Sequence, residues 1–302
     1  MILKARTESK ELIIMRCLNS RMTLSASEKQ HYIKLEKGYK GEQYFDELTE
    51  IHLDHEYLIL NDLTFEHNHT TFQIDSLLIS DKILHPCEIK YHAGDYYISN
   101  DLWYTTSGKE IRDPILQLKR AESLLRSMLQ ELKSDFKVSA QVVFVNPEFT
   151  LYHAPMDLPM ILPTQLNRFF KTLNLNPTNM KKDQLKIANQ LLASQVKSSY
   201  SKVPTYEYEQ LEKGISCREC RKLSVTVFDD RCVCENCGFN EDIEAVVLRS
   251  VEEFVTLFPD RKITTNGIQE WCQLPCSTKV LRKIMKKHFR PIGYRRHTYY
   301  VK

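Results

Sequence analysis

Phe72-Gln73-Ile74-Asp75-Ser76-Leu77-Leu78-Ile79 and Cys87-Glu88-Ile89-Lys90-Tyr91 are the two stretches on which the reading of this chain turns. Both have the length and apolar character of strands. Asp75 interrupts the first, and a carboxylate in an otherwise apolar strand is costly unless it is paired or binds a metal. Alternation along the second puts Glu88 and Lys90 on one face of the sheet. Asp75, Glu88 and Lys90 on neighbouring strands would form a compact polar site. Two acids at oxygen-ligand distance suit Mg²⁺, which keeps several waters. A lysine beside them would orient or deprotonate an attacking water, or stabilise charge growing on a phosphate. The simpler alternative is a structural Glu88–Lys90 ion pair on a half-exposed strand.

Outward from this pair, Tyr57–Leu60 reads as a further strand, and so does Val138–Val145. Tyr44, Phe45, Leu48 and Ile51 recur at helical spacing, so residues 41–52 read as an amphipathic helix whose start is bracketed by Gly38 and Gly41. Asp113-Pro114 is a helix-start signal, and Ile115, Leu118, Ala121, Leu125, Met128 and Leu132 continue that helix on one face. The order helix, strands, helix, strand predicts a mixed α/β domain. Residues 164–198 read as two helices, and Ser198–Pro204 as a linker. Trp103 and Tyr104 are expected in packing roles, and His67, His69, His85 and His92 at the surface or in loops.

The residues Lys37-Gly38-Tyr39-Lys40-Gly41-Glu42, Ile74-Asp75, Cys87-Glu88-Ile89-Lys90 and Pro114 with Gln117-Leu118-Lys119-Arg120 resemble the nuclease-related domain, NERD, of the PD-(D/E)xK nuclease superfamily. The likeness covers about residues 35–150, with four motifs in the family's order. It implies a restriction-endonuclease-like mixed sheet flanked by helices. It also implies that Glu42 is the first acid, Asp75 and Glu88 the principal Mg²⁺ or Mn²⁺ ligands, Lys90 the catalytic lysine and Gln117 the glutamine of the following helix. The His92-Ala93-Gly94-Asp95 turn resembles the family's glycine-containing turn. Read without the likeness, Glu42 is a helix N-terminal acid and Gln117 a solvated first-turn residue.

Cys217-Arg218-Glu219-Cys220 and Cys234-Glu235-Asn236-Cys237-Gly238 are two C-x₂-C knuckles, spaced to place four thiolates around one tetrahedral Zn²⁺. Leu223–Phe228 and the segment after Asp229-Asp230 would form the hairpin of a zinc ribbon, a structural site with no open position. Cys232 is a spare. Cys17, Cys87, Cys272 and Cys276 read as core or incidental.

Residues 261–302 carry eleven Lys/Arg and one acid, Glu270, whereas the rest of the chain has 31 basic and 38 acidic residues. A basic tail on an acidic body suggests a polyanion-binding module. Val251, Phe254, Val255 and Phe258 form a helical stripe. Thr264 caps a second helix and Ser277 a third, and Tyr294–Val301 reads as a strand or hairpin arm. The pattern resembles a winged helix-turn-helix. Its third helix carries Lys279, Arg282, Lys283, Lys286 and Lys287 towards DNA, with Arg295, Arg296 and His297 as a wing.

The expected organisation is a helical arm (1–37), a nuclease-like domain (38–165), a helical linker (166–205), a zinc ribbon (206–244) and a winged-helix-like module (245–302). No stretch approaches the ~20 apolar residues of a membrane span, and Lys4, Arg6, Glu8, Lys10 and Glu11 break any signal-peptide core. The chain is expected to be cytoplasmic, where nine cysteines favour metal over disulfides. Two functions are carried forward. One is a metal-dependent nuclease cutting phosphodiester bonds in DNA, with an RNA-directed role kept beside the two as a third, weaker idea. The other is a catalytically inactive DNA-binding regulatory or scaffolding protein.

Overall fold

A computed structural model of the 302-residue chain describes every residue except 54–56, 176–181, 197–201, 229–230, 275–277 and 295–296. In chain order the elements are β1 (Ile2–Lys4), α1 (Lys10–Arg21), α2 (Ala26–His52), β2 (Leu58–His67), β3 (Thr70–Ile79), β4 (Ile83–Lys90), β5 (Gly94–Ser99), β6 (Leu102–Thr105) and β7 (Glu110–Ile111). They continue with α3 (Pro114–Glu131), β8 (Lys137–Val138), β9 (Gln141–Phe144), β10 (Phe149–Tyr152), β11 (Met160–Ile161), α4 (Leu166–Asn174) and α5 (Lys182–Ala193). The last are β12 (Val225–Phe228), β13 (Arg231–Cys234), β14 (Asn240–Asp242), α6 (Ile243–Leu257), α7 (Thr265–Cys272), α8 (Thr278–His288), β15 (Arg290–Ile292) and β16 (Tyr299–Val301). Two compact units result: Met1–Glu8 with Lys34–Tyr200, and Ser9–Ile33 with Ser201–Lys302.

The first unit is built on a seven-stranded mixed sheet of order β1-β2-β3-β4-β9-β11, with β8 also pairing β4. β2, β3 and β4 are antiparallel neighbours, whereas β4 and β9 run parallel. Alternate strand residues feed two cores. Leu60, Leu77 and Ile79 pack with Leu125 and Met128 of α3 and Ile187 and Leu191 of α5. Ile59, Leu78, Cys87 and Ile89 pack with Phe45 of α2 and Phe170 of α4. The sheet is thereby covered by helices on both faces, the mixed α/β architecture expected from the order of elements. A four-stranded sheet, β10-β5-β6-β7, adds Trp103, Ile98 and Phe149 to a third core with Ile115 and Leu118 of α3. Trp103 is buried, in the packing role expected of it.

The ladder between β2 and β3 is interrupted at Asp62 and Asp75, between the pairs Asn61–Ser76 and Leu63–Ile74. Asp62 has φ 53°, in the left-handed region. Leu58 and Leu60 before the break and Leu63 and Phe65 after it all join the same core, as do Leu77 and Ile79 and, across the break, Ile74 and Phe72. Strict alternation would send the second set to the opposite face. The irregular step at Asp62 shifts the pattern by one residue on both strands and keeps both sets inside.

Three expectations need correction. The helix expected to begin around Gly38 and Gly41 begins at Ala26. Ser25 Oγ accepts the Glu28 N–H and the Glu28 carboxylate accepts the Ser25 N–H, a reciprocal cap that starts the helix earlier. Gly41 then serves packing rather than termination. A Cβ there would lie 2.5 Å from Tyr91 Cβ, so its absence lets α2 approach the end of β4. The N-terminal segment, expected as a polar helical arm, is divided between the units. β1 joins the sheet beside β2, and α1 buries Leu12, Met15 and Leu18 in the second unit. The histidines are not uniformly peripheral. His67 is buried and bonded to Ser127 Oγ at 2.8 Å. His92 packs against Tyr96, Phe144 and Phe149, where burial and the charges of Lys90 and Lys37 push its pKa down to about 4.

In the second unit Arg21 is buried against Glu253 at 2.8 Å, donates to the carbonyls of Glu212 and Gly214, and lies 3.9 Å over the Trp271 ring. Helices α6, α7 and α8 share a core of Val247, Val251, Phe254, Trp271, Leu281 and Met285. Thr264 caps α7 through the Gly267 N–H at 3.0 Å. The Ser198–Ser201 part of the expected linker, Asp229-Asp230, Cys276, Ser277, Arg295 and Arg296 lie outside the described residues.

Candidate functional site

In the first unit, β3 and β4 part at a defined point. Their ladder ends at the pair Ser76–Cys87, so the next rung would set Asp75 opposite Glu88. The Asp75 carboxylate accepts the Ile89 N–H at 2.8 Å. β4 meanwhile stays paired with β9 through Cys87–Gln141, Glu88–Val142, Ile89–Val143 and Lys90–Phe144. Glu88 and Lys90 therefore sit on a strand held from one side, next to the gap that Asp75 spans.

Lys90 Nζ lies 2.6 Å from Glu88 Oε1 and 3.3 Å from Gln117 Oε1, and Gln117 Nε2 also donates to Glu88 Oε1. Gln117 arrives from the first turn of α3. Asp113 caps that helix by accepting the Ile115 N–H at 2.7 Å, and Pro114 stands at its first position. Of the five sequence-predicted residues, Glu88, Lys90 and Gln117 bond one another directly, and Asp75 joins them through the Ile89 N–H between Glu88 and Lys90. Glu42 approaches from α2, and its carboxylate senses that of Asp75.

The electrostatics follow from burial and crowding. Burial first, and then the Asp75 charge, push Glu42 up to about 8 against the pull of Arg6. The same two causes push Glu88 up to about 7 against the pull of Lys90. Burial also raises the Asp75 pKa, opposed by Lys90 and by the Ile89 N–H. The donor set is hard oxygen, already short of positive charge, and Asp75 Oδ1 bonds to no described residue. These properties fit a hard divalent cation. The Glu88 oxygen is shared by Lys90 and Gln117, so Asp75 offers the more open ligand.

Residues outside the expected set complete the site. Arg6 Nη1 bonds Glu42 Oε2 and Asp62 Oδ1, each at 2.8 Å, and Arg6 pairs with both oxygens of Asp46 at 2.8 and 3.0 Å. The Asn61 amide donates to Asp46, and Ser76 Oγ donates to Asn61. Three of these residues left a trace in the sequence. Asp46 is one helical turn after Glu42, and Asn61-Asp62 breaks an apolar strand. Arg6 left none.

In the second unit, the ligand atoms of Cys217, Cys220, Cys234 and Cys237 all lie within 4.8 Å of one another, a donor set compatible with zinc. The two knuckles have the same backbone design. Arg221 N–H bonds the Cys217 carbonyl at 3.0 Å, and Gly238 N–H bonds the Cys234 carbonyl at 2.8 Å, with φ 59° and 73° respectively. Cys217 and Cys234 N–H then each bond a carbonyl five residues on, that of Lys222 or Phe239, at 2.9 Å. Cys232 is buried in β13 and stands outside the four.

On α8, Leu281, Ile284 and Met285 face inward, while Lys279, Arg282, Lys283, Lys286 and Lys287 are exposed. Lys287 differs from the rest, because Nζ pairs with Glu244 at 2.6 Å. Among the described residues the other four have no acidic partner.

The family model described as nuclease-related domain matches residues 37–145. Neither the curated proteins nor the solved structures provide a match. The matched stretch contains Glu42, Asp75, Glu88, Lys90 and Gln117 and stops before the cysteine cluster. Residues 37–145 of this chain are therefore a nuclease-related domain, NERD.

Proposed function

We propose that the protein is a metal-dependent nuclease that hydrolyses phosphodiester bonds in DNA. The reading rests on one observation: Asp75 bonds the Ile89 N–H at 2.8 Å, on the strand that presents Glu88 and Lys90 2.6 Å apart. Asp75 and Glu88 would hold Mg²⁺ or Mn²⁺, with Glu42 behind them. The cation would neutralise phosphate charge and polarise the bond to be cut. Lys90 Nζ, released from Glu88, would donate to a phosphate oxygen as charge accumulates there. Gln117 would keep Glu88 oriented while Lys90 turns to substrate. Hydrolysis adds water across the P–O bond, so the new phosphate loses a proton and the leaving sugar oxygen gains one.

The second unit would hold the substrate. In it α6, the Ile263–Tyr300 bridge, α7, α8 and the β15–β16 hairpin follow one another in the order of a winged helix. Lys279, Arg282, Lys283 and Lys286 recur at the spacing of one helical face, suited to phosphates beside a groove. The four cysteines would hold a structural zinc.

A second reading is a DNA-binding protein without cleavage. It is favoured by the internal bonding of Glu88 to Lys90 and Gln117. It is also consistent with the four cysteines being, among the described residues, the group whose ligand atoms converge within 4.8 Å. Cleavage with Mg²⁺ and Mn²⁺ on single- and double-stranded DNA, beside gel shifts in EDTA, separates the two. Cutting that is lost in folded Asp75→Ala and Lys90→Ala supports the nuclease. Binding that survives EDTA with no cutting under either metal supports the rival. RNA competitors added to the gel shift test an RNA-directed role.

A further inference from the structure

Arg6 has five guanidinium N–H donors, and all five are engaged. Nε and one proton of Nη2 hold Asp46, the two protons of Nη1 hold Glu42 and Asp62, and the second proton of Nη2 reaches the carbonyl oxygen of Asp75 at 3.0 Å. The side chain is 3% exposed. It thus ties α2, β2 and β3 together at one point, where the β2–β3 ladder is interrupted at Asp62 and Asp75. The neighbouring chain reinforces the arrangement. Thr7 N–H bonds Asp62 Oδ2 at 2.9 Å, and Lys4 Nζ bonds the Asp62 carbonyl at 2.9 Å.

Resting on the cation-binding reading of the carboxylates, we infer that Arg6 is a positioning residue for that centre. It substitutes for the interrupted strand pairing at Asp75, so that the Asp75 carboxylate stays aimed at Ile89 and the cation. It also holds Glu42 at the edge of the same site. The role belongs to arginine specifically. A lysine keeps the charge but offers three donors from one nitrogen, and cannot span both Asp46 oxygens, Asp62, Glu42 and the Asp75 carbonyl together. Arg6 itself touches no substrate. It lies outside the matched stretch of 37–145, so the N-terminal segment completes the domain from a distance in sequence.

The experiment uses the full zinc-loaded chain and two variants, Arg6→Lys and Asp46→Asn, the second retaining the arginine if the first fails to fold. Calorimetric titration with Mn²⁺, without nucleic acid, reads the cation site. Amide hydrogen exchange at Ile89, taken relative to Leu78 in the same sheet, reads the aim of Asp75. Expected are unchanged zinc content, Mn²⁺ affinity about tenfold weaker, and exchange accelerated at Ile89 but not at Leu78. Wild-type Mn²⁺ affinity, unchanged exchange at Ile89, or equal acceleration at both amides overturns the inference. Should the wild-type chain bind no Mn²⁺, the cation reading fails on its own account and Ile89 decides alone: selective acceleration supports Arg6 as the residue that aims Asp75, and its absence overturns it.

Discussion

The Asp75 carboxylate holds the backbone N–H of Ile89 at 2.8 Å, so a side chain does here what a strand partner does elsewhere in the sheet. The consequence is a gap in the sheet with its edges fixed. Asp75 stands on one edge, Glu88 and Lys90 on the other, and the β4–β9 pairing keeps the second edge from moving. A carboxylate that satisfies a backbone donor is also easier to bury.

The raised carboxylate pKa values set a pH dependence. Glu42 and Glu88 have folded-state values of about 8 and 7, above their ordinary range, so between that range and 8 the folded state binds more protons than the unfolded state. Stability then falls as pH rises through this window. The metal-free protein should melt at lower temperature at pH 8 than at pH 7, a range above that in which the depressed His85 and His92 add stability with rising pH. Glu42→Gln or Glu88→Gln should flatten the slope, and Mn²⁺ should restore stability at the alkaline end. Differential scanning calorimetry across pH, with and without Mn²⁺, checks this. A metal-free melting temperature that rises between pH 7 and 8 contradicts it.

Gly41→Ala should loosen the same region from the helix side. The added Cβ would meet Tyr91 Cβ at 2.5 Å, against the residue that follows Lys90. Overpacking of this kind costs about 1–3 kcal/mol. Urea denaturation should report that loss, whereas Gly38→Ala, where a Cβ meets nothing within 4 Å, should match or exceed wild-type stability.

The cysteine cluster should bind a single zinc, measurable by metal analysis of the purified chain. Serine at Cys217, Cys220, Cys234 or Cys237 should abolish it, and serine at Cys232 should leave the stoichiometry intact. Strong chelation should unfold the β12–β14 hairpin region, because a small segment of this kind draws its folding energy from the metal. Zinc loss in Cys232→Ser would mean that the four-cysteine assignment is wrong.

Glutamine at Lys279, Arg282, Lys283 or Lys286 should weaken duplex DNA binding. Removing one phosphate-binding cation should reduce the slope of log affinity against log salt by about 0.9. Lys287→Gln should do less, since its ammonium is 2.6 Å from Glu244. Fluorescence anisotropy over a salt series checks both statements, and equal slopes for all five variants would remove α8 from the interface.

The local signals in the sequence are sound where short-range geometry governs. Alternation places Glu88 and Lys90 together, Asp113-Pro114 starts α3, and C-x₂-C spacing brings four thiols to one point. Each depends on bonds within a few residues or on one hairpin. The start of α2 is less legible, because Gly38 and Gly41 suggest punctuation while the cap that starts the helix, Ser25 with Glu28, lies further upstream.

What the sequence by itself determined is the chemistry available: the acids, the lysine, the glutamine, the thiols and a helix with one basic face. What tertiary structure alone decided is how the acids are held. The one-residue shift at Asp62 and the five bonds of Arg6 join positions 6, 42, 46, 62 and 75, and no periodicity of strand or helix relates them. The physical reason is that a buried cluster of carboxylates needs a cation from wherever the fold can supply one, and nothing in local backbone geometry records which residue that will be.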